Sequence, residues 1–561
     1  MSPKFNTGLR PAWVIITSCI LWLLVYIWGA LVPILESDSA HNALIGMRMY
    51  LTGNWVDMVY RGNDYLDKPH LAFWMSAIGN SLLGVNTLAY KLPSLIIAIP
   101  GIYATYRLGK RLYSPRTGIW SAIILISTQA FILGQNDVRM DAILLSMSIL
   151  ATWMLFEFSL TNKWIWLIGG SFFLAMAFST KGMSGAAPPV IAVLAQTLYA
   201  GNRRFLLSFR WVWGVPLFFL FSLPVLYSYY LQFDLHPEKV IRGMSDISGV
   251  AFILFYQNIE RMDGANWGSA GSNDPFLFFH SLLWVLLPWS LMAYWSYFRK
   301  GVKLWQERLQ YQTGREILTF ATILVMFTIM SVSNFKLPHY LNILFPYFSI
   351  LIASELENLN SSKSVKTLLV IQKSITFMLI IAAILINTWL FPITHLMVIP
   401  AALLALVLLA KEWRSELHPK EKIIGISTAA SLFVNLLLNG NFYPRLQEYS
   451  AGYALAGKVQ ELNIPTDKIF PYQWDNDSFT YYTRNFYQPL DHQSLTIEGK
   501  FWLVGPTHLL HQTADSLGWQ KTNEYKVPDY RVTRLKGSFL NPATRLSVCD
   551  EISLMEVKTK Q

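Results

Sequence analysis

The sequence predicts a mostly α-helical membrane protein of about thirteen membrane-crossing helices, with a small α/β unit at its C-terminal end. Three observations predict it. Of 561 residues, 53% are hydrophobic and 14% are charged, whereas a soluble chain carries about a quarter charged residues. The apolar residues gather in runs of roughly 18–25, the length that crosses about 30 Å of hydrocarbon as a helix. Clusters of basic residues fall between those runs, in alternate loops.

The spans are expected at 13–35, 88–106, 117–135, 140–160, 164–180, 183–200, 211–232, 275–298, 316–333, 338–355, 367–391, 394–410 and 423–443. The first run exceeds the roughly 7–15 residues of a signal-peptide core and reads as a retained span. The 21 Trp and 27 Tyr suit the many span ends, because amphipathic rings favour the membrane–water interface. Lys4 and Arg10 precede the first span. Arg107, Lys110 and Arg111, then Lys163, Arg203, Arg299, Lys363 and Lys411, with their basic neighbours, all follow even-numbered spans. The positive-inside rule puts those loops and the N-terminus in the cytoplasm. The odd-numbered loops and the C-terminal tail then face outward, from a cell (inner) membrane crossed many times.

The net charge of +11 follows from this arrangement. No basic domain stands apart from the spans, so no nucleic-acid partner is expected. The two cysteines, Cys19 and Cys549, support neither a disulfide framework nor a cysteine metal site.

Two outer loops are long. The first, 36–87, holds amphipathic stretches at 40–51 and 71–83 that suit helices lying in the interface plane. The fourth, 233–274, is rich in Gly, Asn and Asp. After Tyr443-Pro444 the composition turns mixed. Alternating runs at 478–483 and 501–504 point to a soluble α/β domain over 444–561, beside a transmembrane domain over 1–443.

Ionisable groups at membrane depth are costly and usually functional. Asp38, Asp67, Lys68, Asp137, Asp141, Lys181, Arg261 and Lys336 all sit at outer span ends or in outer loops. Each has a plainer reading. Asp38 suits a helix N-cap. Asp67-Lys68-Pro69 suits a turn before a helix. Arg139 and Asp141 suit interfacial snorkelling. Lys181-Gly182 and Lys336-Leu337-Pro338 suit helix ends. Those readings would all have to hold by coincidence on one face. A mixed cluster of carboxylates and amines there could hold an anionic ligand and act on it. His236, His280 and His339 also lie outward, without zinc-site spacing, and read as structural. The chain has no Walker A motif, no dinucleotide-binding glycine pattern and no nucleophile elbow, so no nucleotide-driven mechanism is expected.

Several ordered segments carry a resemblance. They are Glu36-Ser37-Asp38-Ser39-Ala40, the block TGNWVDMVYRGNDYLDKPHLAFW at 52–74, GVNTLAYKLPS at 84–94, Arg139-Met140-Asp141, Ser179-Thr180-Lys181-Gly182, Leu287-Pro288-Trp289 and SVSNFKLPHYLNILFP at 331–346. In order and spacing they resemble the GT-C glycosyltransferases of the protein O-mannosyltransferase superfamily, above all the lipid A aminoarabinose transferase branch. The likeness covers roughly the first 355 residues; DSFTYYTR at 477–484 resembles a feature of that branch's C-terminal domain.

The resemblance implies a GT-C-like bundle. It implies a polyprenyl-phosphate sugar donor, and transfer on the outer face to a lipid A-type glycolipid or a protein acceptor. It implies that Asp38 and Asp141 are the catalytic carboxylates and that Lys68 and Arg261 hold the donor phosphate. Asp67, Asp137, Arg139, Lys181, Lys336 and Tyr340 would support them. Metal ligands are not assigned, and the resemblance leaves a divalent cation open. Ser39, His41, Asp67 and Asn258 depart from the usual pattern and leave sugar and acceptor open. Lys68 and Arg261 could stabilise the charge that develops on a phosphate leaving group, and Asp38 could orient or deprotonate a hydroxyl acceptor. The rival class is a transporter or flippase of lipid-linked sugars. Such folds often show inverted repeats and midplane charge, and neither is evident.

Overall fold

The computed structural model describes residues 11–35, 37–202, 209–263, 272, 274–311, 315–487 and 499–559. It is a helical bundle with a small C-terminal sheet. Numbering helices of seven or more residues, the chain forms α1 (Ala12–Leu31), α2 (Ser37–Thr52), α3 (Leu71–Leu83), α4 (Thr87–Leu112), α5 (Pro115–Ile126), α6 (Gln129–Asn136), α7 (Met140–Thr161), α8 (Trp164–Lys181) and α9 (Met183–Tyr199). Then come α10 (Gly214–Tyr229), α11 (Gln257–Asp263), α12 (Leu277–Val285), α13 (Ser290–Gln306), α14 (Leu318–Val332), α15 (Phe345–Glu357), α16 (Ser362–Leu385), α17 (Val398–Arg414) and α18 (Pro419–Leu437). The C-terminal unit adds α19 (Ala451–Glu461), α20 (Asp477–Thr483) and α21 (Thr507–Ser516).

Every expected span falls on one of these helices or on a broken pair. Among the described residues, seven helices are long and apolar enough to cross a membrane, and the bent pair α5–α6 makes an eighth. The chain is thus a multi-pass membrane protein. The other expected spans fall on α9, α14, α15 and α17, of 13–17 residues, and on the pair α12–α13. The helix α7 is central, with 83% of its apolar window buried, against 11% for 209–234.

Two expected spans are not straight. The 117–135 run bends by 55° between α5 and α6, and the 275–298 run breaks between α12 and α13 at Pro288, which has no N–H to give a helix. The two breaks satisfy each other. Gln129 N donates to Leu287 O at 2.9 Å, Trp289 Nε1 donates to Ser127 Oγ at 3.0 Å, and Gln372 Nε2 donates to Pro288 O at 2.7 Å. Irregular backbone at membrane depth survives only where protein supplies such partners.

The first loop folds as the sequence suggests, with α2 and α3 on the two amphipathic stretches. Between them lies a hairpin of β1 (Val59–Tyr60) and β2 (Asn63–Asp64). The helices α3 and α4 pack very closely. A Cβ on Gly79 would lie 1.9 Å from Ala89 O, so only glycine fits there.

The C-terminal unit holds β3 (Ile469–Pro471), β4 (Lys500–Pro506), β5 (Gln520–Asp529) and β6 (Asp550–Lys558) in the order β3-β4-β6-β5. The pair β3–β4 is parallel and the others are antiparallel. The alternating run at 501–504 lies in β4. The run at 478–483 is helix α20 instead, started by Asn476, whose side chain accepts from Phe479 N at 3.0 Å.

This helix docks the unit onto the first loop. Asp477 accepts from Tyr60 Oη at 2.9 Å and from Arg61 at 2.8 Å, and Arg61 also pairs with Asp475 at 2.7 Å. Tyr481 Oη donates to Asn86 O at 2.9 Å.

The loops expected on the basic side meet at one end of the bundle. There Tyr113 donates to Glu316 at 2.5 Å and Lys300 pairs with it at 3.2 Å. Arg299 and Lys303 hold Glu355 at 2.9 and 2.8 Å. Ser114 donates to Glu357 at 2.6 Å. Glu316 and Glu355 are almost fully buried, so these pairs replace the water each charge gives up.

Candidate active site

At the other end, four chain segments bring charges together. Asp38 stands in the first turn of α2, where the helix dipole favours a carboxylate. Arg139 precedes α7, and Asp141 lies in its first turn. Lys181 ends α8, with Gly182 beyond it at φ 66°. His339 and Tyr340 lie on the short 3₁₀ turn Pro338–Leu344.

Asp141 is fully occupied. Lys181 Nζ meets Oδ1 at 2.6 Å, and His339 Nε2 lies 3.7 Å from Oδ2. His339 Nδ1 in turn sits 2.6 Å from an Arg139 nitrogen, which makes it the acceptor, because a guanidinium has no lone pair to offer. The Lys181 ammonium stacks 4.2 Å from the Tyr340 ring centroid. Four side chains thus form one fixed network around the Asp141 carboxylate.

Asp38 is different. Its carboxylate is half-buried, and among the described residues it has no hydrogen-bond or ion-pair partner. Burial pushes its pKa up, but Lys68 above all, with His339, Arg139 and His41, draws it down further, and the net is below the ordinary carboxylate value. Asp38 is therefore an ionised carboxylate facing cations without being neutralised by contact. His41, three residues on, stacks on Tyr60 at 3.7 Å. Burial, and then Lys68, push its pKa down to about 3, so this histidine is neutral.

The structure places the other sequence-derived residues as follows. Lys68 is half-buried and supplies the strongest charge felt by Asp38. Asp67, its neighbour, is paired with Arg242. Asp137 is buried and accepts from Leu35 N at 3.1 Å. Lys336 is buried; its carbonyl accepts from Ser272 N at 3.1 Å and its charge bears on Asp274. Arg261 lies on α11, but its side chain is outside the described residues.

Two residues were missed or undervalued in the sequence. Arg242 bridges Asp67 and Glu260, the latter at 2.9 Å, and so ties the fourth loop to the Asp67-Lys68 turn. Its left-handed φ of 54° has no sequence signal. His339 read as structural, yet it joins Arg139 to Asp141; its place beside Lys336 and Tyr340 in the 331–346 segment was the available signal. His236 and His280 are exposed and pair with Glu238 and Asp274. Among the described residues no group of three or more His, Cys, Asp or Glu is placed to hold a metal ion.

The bundle and its C-terminal sheet are the fold of the GT-C glycosyltransferases. The crystal structure of ArnT from Cupriavidus metallidurans bound to undecaprenyl phosphate aligns with a TM-score of 0.71 at 16% identity, over 98% of each chain. The family model described as dolichyl-phosphate-mannose-protein mannosyltransferase matches residues 67–228. In sequence the chain is similar to the aminoarabinose transferase branch. The undecaprenyl phosphate-α-4-amino-4-deoxy-L-arabinose arabinosyl transferase 1 of Pseudomonas fluorescens is 27% identical over 312 residues, 54% of this chain and 52% of that protein. The corresponding transferase of Pseudomonas aeruginosa is 26% identical over the same 54% and 52%. The chain spans about half the length of the curated relatives it matches.

Proposed function

We propose that this chain is a membrane glycosyltransferase that moves a sugar from a polyprenyl-phosphate donor to a lipid A-type glycolipid or a protein. The transfer takes place at the extracytoplasmic face of an inner membrane. In this reading the N-terminus is cytoplasmic, and residues 444–561 form an extracytoplasmic domain beside the transmembrane domain 1–443. The observation that carries it is Asp38: ionised, uncommitted and faced by Lys68 and Arg139.

The residues take the following roles in this reading. Lys68 receives the donor phosphate and stabilises the charge it gains on leaving, worth a few kcal/mol per well-placed donor; the family resemblance assigns Arg261 to the same phosphate. Asp38 orients the acceptor, and for a hydroxyl acceptor takes its proton, worth roughly 10²–10⁴-fold. Asp141, already neutralised by Lys181 and held by His339, fixes Arg139 at the rim of the site. Asp67 and Arg242 hold the turn that presents Lys68. The unions of Arg139, His339, Lys181 and Tyr340 make the pocket rigid before substrate arrives, which lowers the ordering cost of the reaction.

The test is an assay of the purified chain with radiolabelled polyprenyl-phosphate sugars, undecaprenyl-linked aminoarabinose among them, against lipid A, protein and glycan acceptors. Asp38→Asn is expected to retain expression and donor binding and to lose transfer. Normal turnover by that variant removes Asp38 from the mechanism. Donor movement across liposomes with no transfer to any acceptor would favour a flippase instead.

A further inference from the structure

The segment that delivers Asp38 is an extended strap, Val32-Pro33-Ile34-Leu35, between α1 and α2. An unpaired extended segment normally leaves its backbone groups to water. Here side chains from four separate parts of the chain take them. Lys91 on α4 donates to Val32 O, and to Gly29 O at 3.1 Å. Gln447 Nε2, beyond the last span, donates to Pro33 O at 3.3 Å and Ile34 O at 3.2 Å. Tyr482 Oη, on α20, accepts from Ile34 N at 3.0 Å and bonds Thr87 Oγ1 at 2.8 Å. Asp137, between α6 and α7, accepts from Leu35 N at 3.1 Å. Pro33 has no N–H to satisfy. Every backbone polar group from the Val32 carbonyl to the Leu35 amide is therefore held.

The clamp is buried. Lys91, Asp137 and Gln447 are all below 5% exposed. Ile34 packs in one apolar cluster with Ala40, Ala43, Leu44 and Met47 of α2 and with Tyr481 of α20. A second link runs from the C-terminal unit to the same helix: Asp477 holds Tyr60, and Tyr60 stacks on His41 of α2.

We infer that Tyr482 and Gln447 of the C-terminal region, with Asp137, are positioning residues for Asp38: they fix the strap and hence the first turn of α2. The inference rests on the glycosyltransferase reading for its kinetic part. A displacement of about 1 Å at a reacting group can cost on the order of 10²-fold in rate, so loss of one clamp bond from a network of several is expected to lower kcat by roughly tenfold. None of the clamp bonds described above is made to Lys68, so the donor KM is expected to stay within about twofold.

The experiment uses the full chain in detergent, with the wild type as control and undecaprenyl-phosphate aminoarabinose as donor. Tyr482→Phe and Gln447→Leu each test the C-terminal bonds; Asp137→Leu removes the acceptor for Leu35 N, and Asp137→Asn restores it. The expected result is a fall in kcat without a matching rise in KM for the first three, with Asp137→Asn recovering most of the Asp137→Leu loss. Wild-type kcat in both Tyr482→Phe and Gln447→Leu overturns the inference, as does a loss that appears only as KM. Hydrogen exchange of the peptide spanning 30–40, read by mass spectrometry, separates this idea from the functional one. Faster exchange at the strap in Tyr482→Phe, with a wild type inactive on every acceptor, rejects the enzyme reading and keeps the clamp. Unchanged exchange at the strap in both C-terminal variants rejects the clamp whatever the activity.

Discussion

Removing Lys181 should uncover how much the buried network around Asp141 depends on its single close cation. In Lys181→Met the side-chain volume is nearly kept, while Asp141 loses its 2.6 Å partner. The two side chains are 10% and 5% exposed, so water cannot replace the lost ammonium. Breaking such a pair typically costs about 3–5 kcal/mol. His339, 3.7 Å from the other oxygen, and Arg139 remain, so the low end, about 3 kcal/mol, is expected. For 561 residues melting as one unit at roughly 2.1 cal/mol/K per residue, that is a fall in Tm of about 2–3 °C. The assay is thermal unfolding of the detergent-purified chain by tryptophan fluorescence, run for Lys181→Met, Asp141→Leu and the double variant. The double variant has no stranded charge and should be more stable than the sum of the single effects predicts, by about 1–3 kcal/mol of coupling. Strict additivity of the two single losses would refute the claim that the pair is one electrostatic unit.

Other outcomes follow from the same geometry. Burial holds His70 neutral, with its pKa pushed down to about 4, while the unfolded chain titrates near 6.5. The unfolded state therefore binds the extra proton between those values, so stability should be full above about pH 6.5 and fall by up to ~1.4 kcal/mol per pH unit as pH drops towards 4; His70→Phe should flatten that slope in pH-dependent melts. Asp477→Ala leaves Tyr60 and Arg61 without their shared acceptor and should cost about 1–3 kcal/mol, seen as easier proteolytic release of the C-terminal unit. Gly79→Val places atoms inside contact distance of Ala89 O and should lower the yield of monodisperse protein on size exclusion, by more than the roughly 1–3 kcal/mol of ordinary overpacking.

The parts of this molecule that depend on local composition were legible in the sequence. Apolar run length located the helices, and the alternation of Arg and Lys sorted the loops so well that Glu316, Glu355 and Glu357 do meet Lys300, Arg299 and Ser114 at one end. The amphipathic stretches of the first loop became α2 and α3. Long-range pairing was not legible. Nothing local in His339 says that it will join Arg139, 200 residues earlier, and nothing in Arg242 says that it will meet Asp67. The breaks at Ser127 and Pro288 also escaped, because their partners come from distant segments: from each other, from Gln372 and from Ser431. The run at 478–483 shows the remaining weakness: six residues of mixed polarity fit either period, and the Asn476 cap decided for a helix.

The ionic knot at the basic end of the bundle has a consequence for traffic. Buried glutamates held by Arg299, Lys300 and Lys303 stitch α13, the approach to α14, and α15 together, so that end does not open as a vestibule. The lipid donor proposed above is then expected to enter from the bilayer side rather than through that end. It would pass between helices that keep apolar flanks turned outward, such as the segment at 209–234, and a long prenyl tail could stay among its neighbouring lipids while only the head group crosses into the charged pocket.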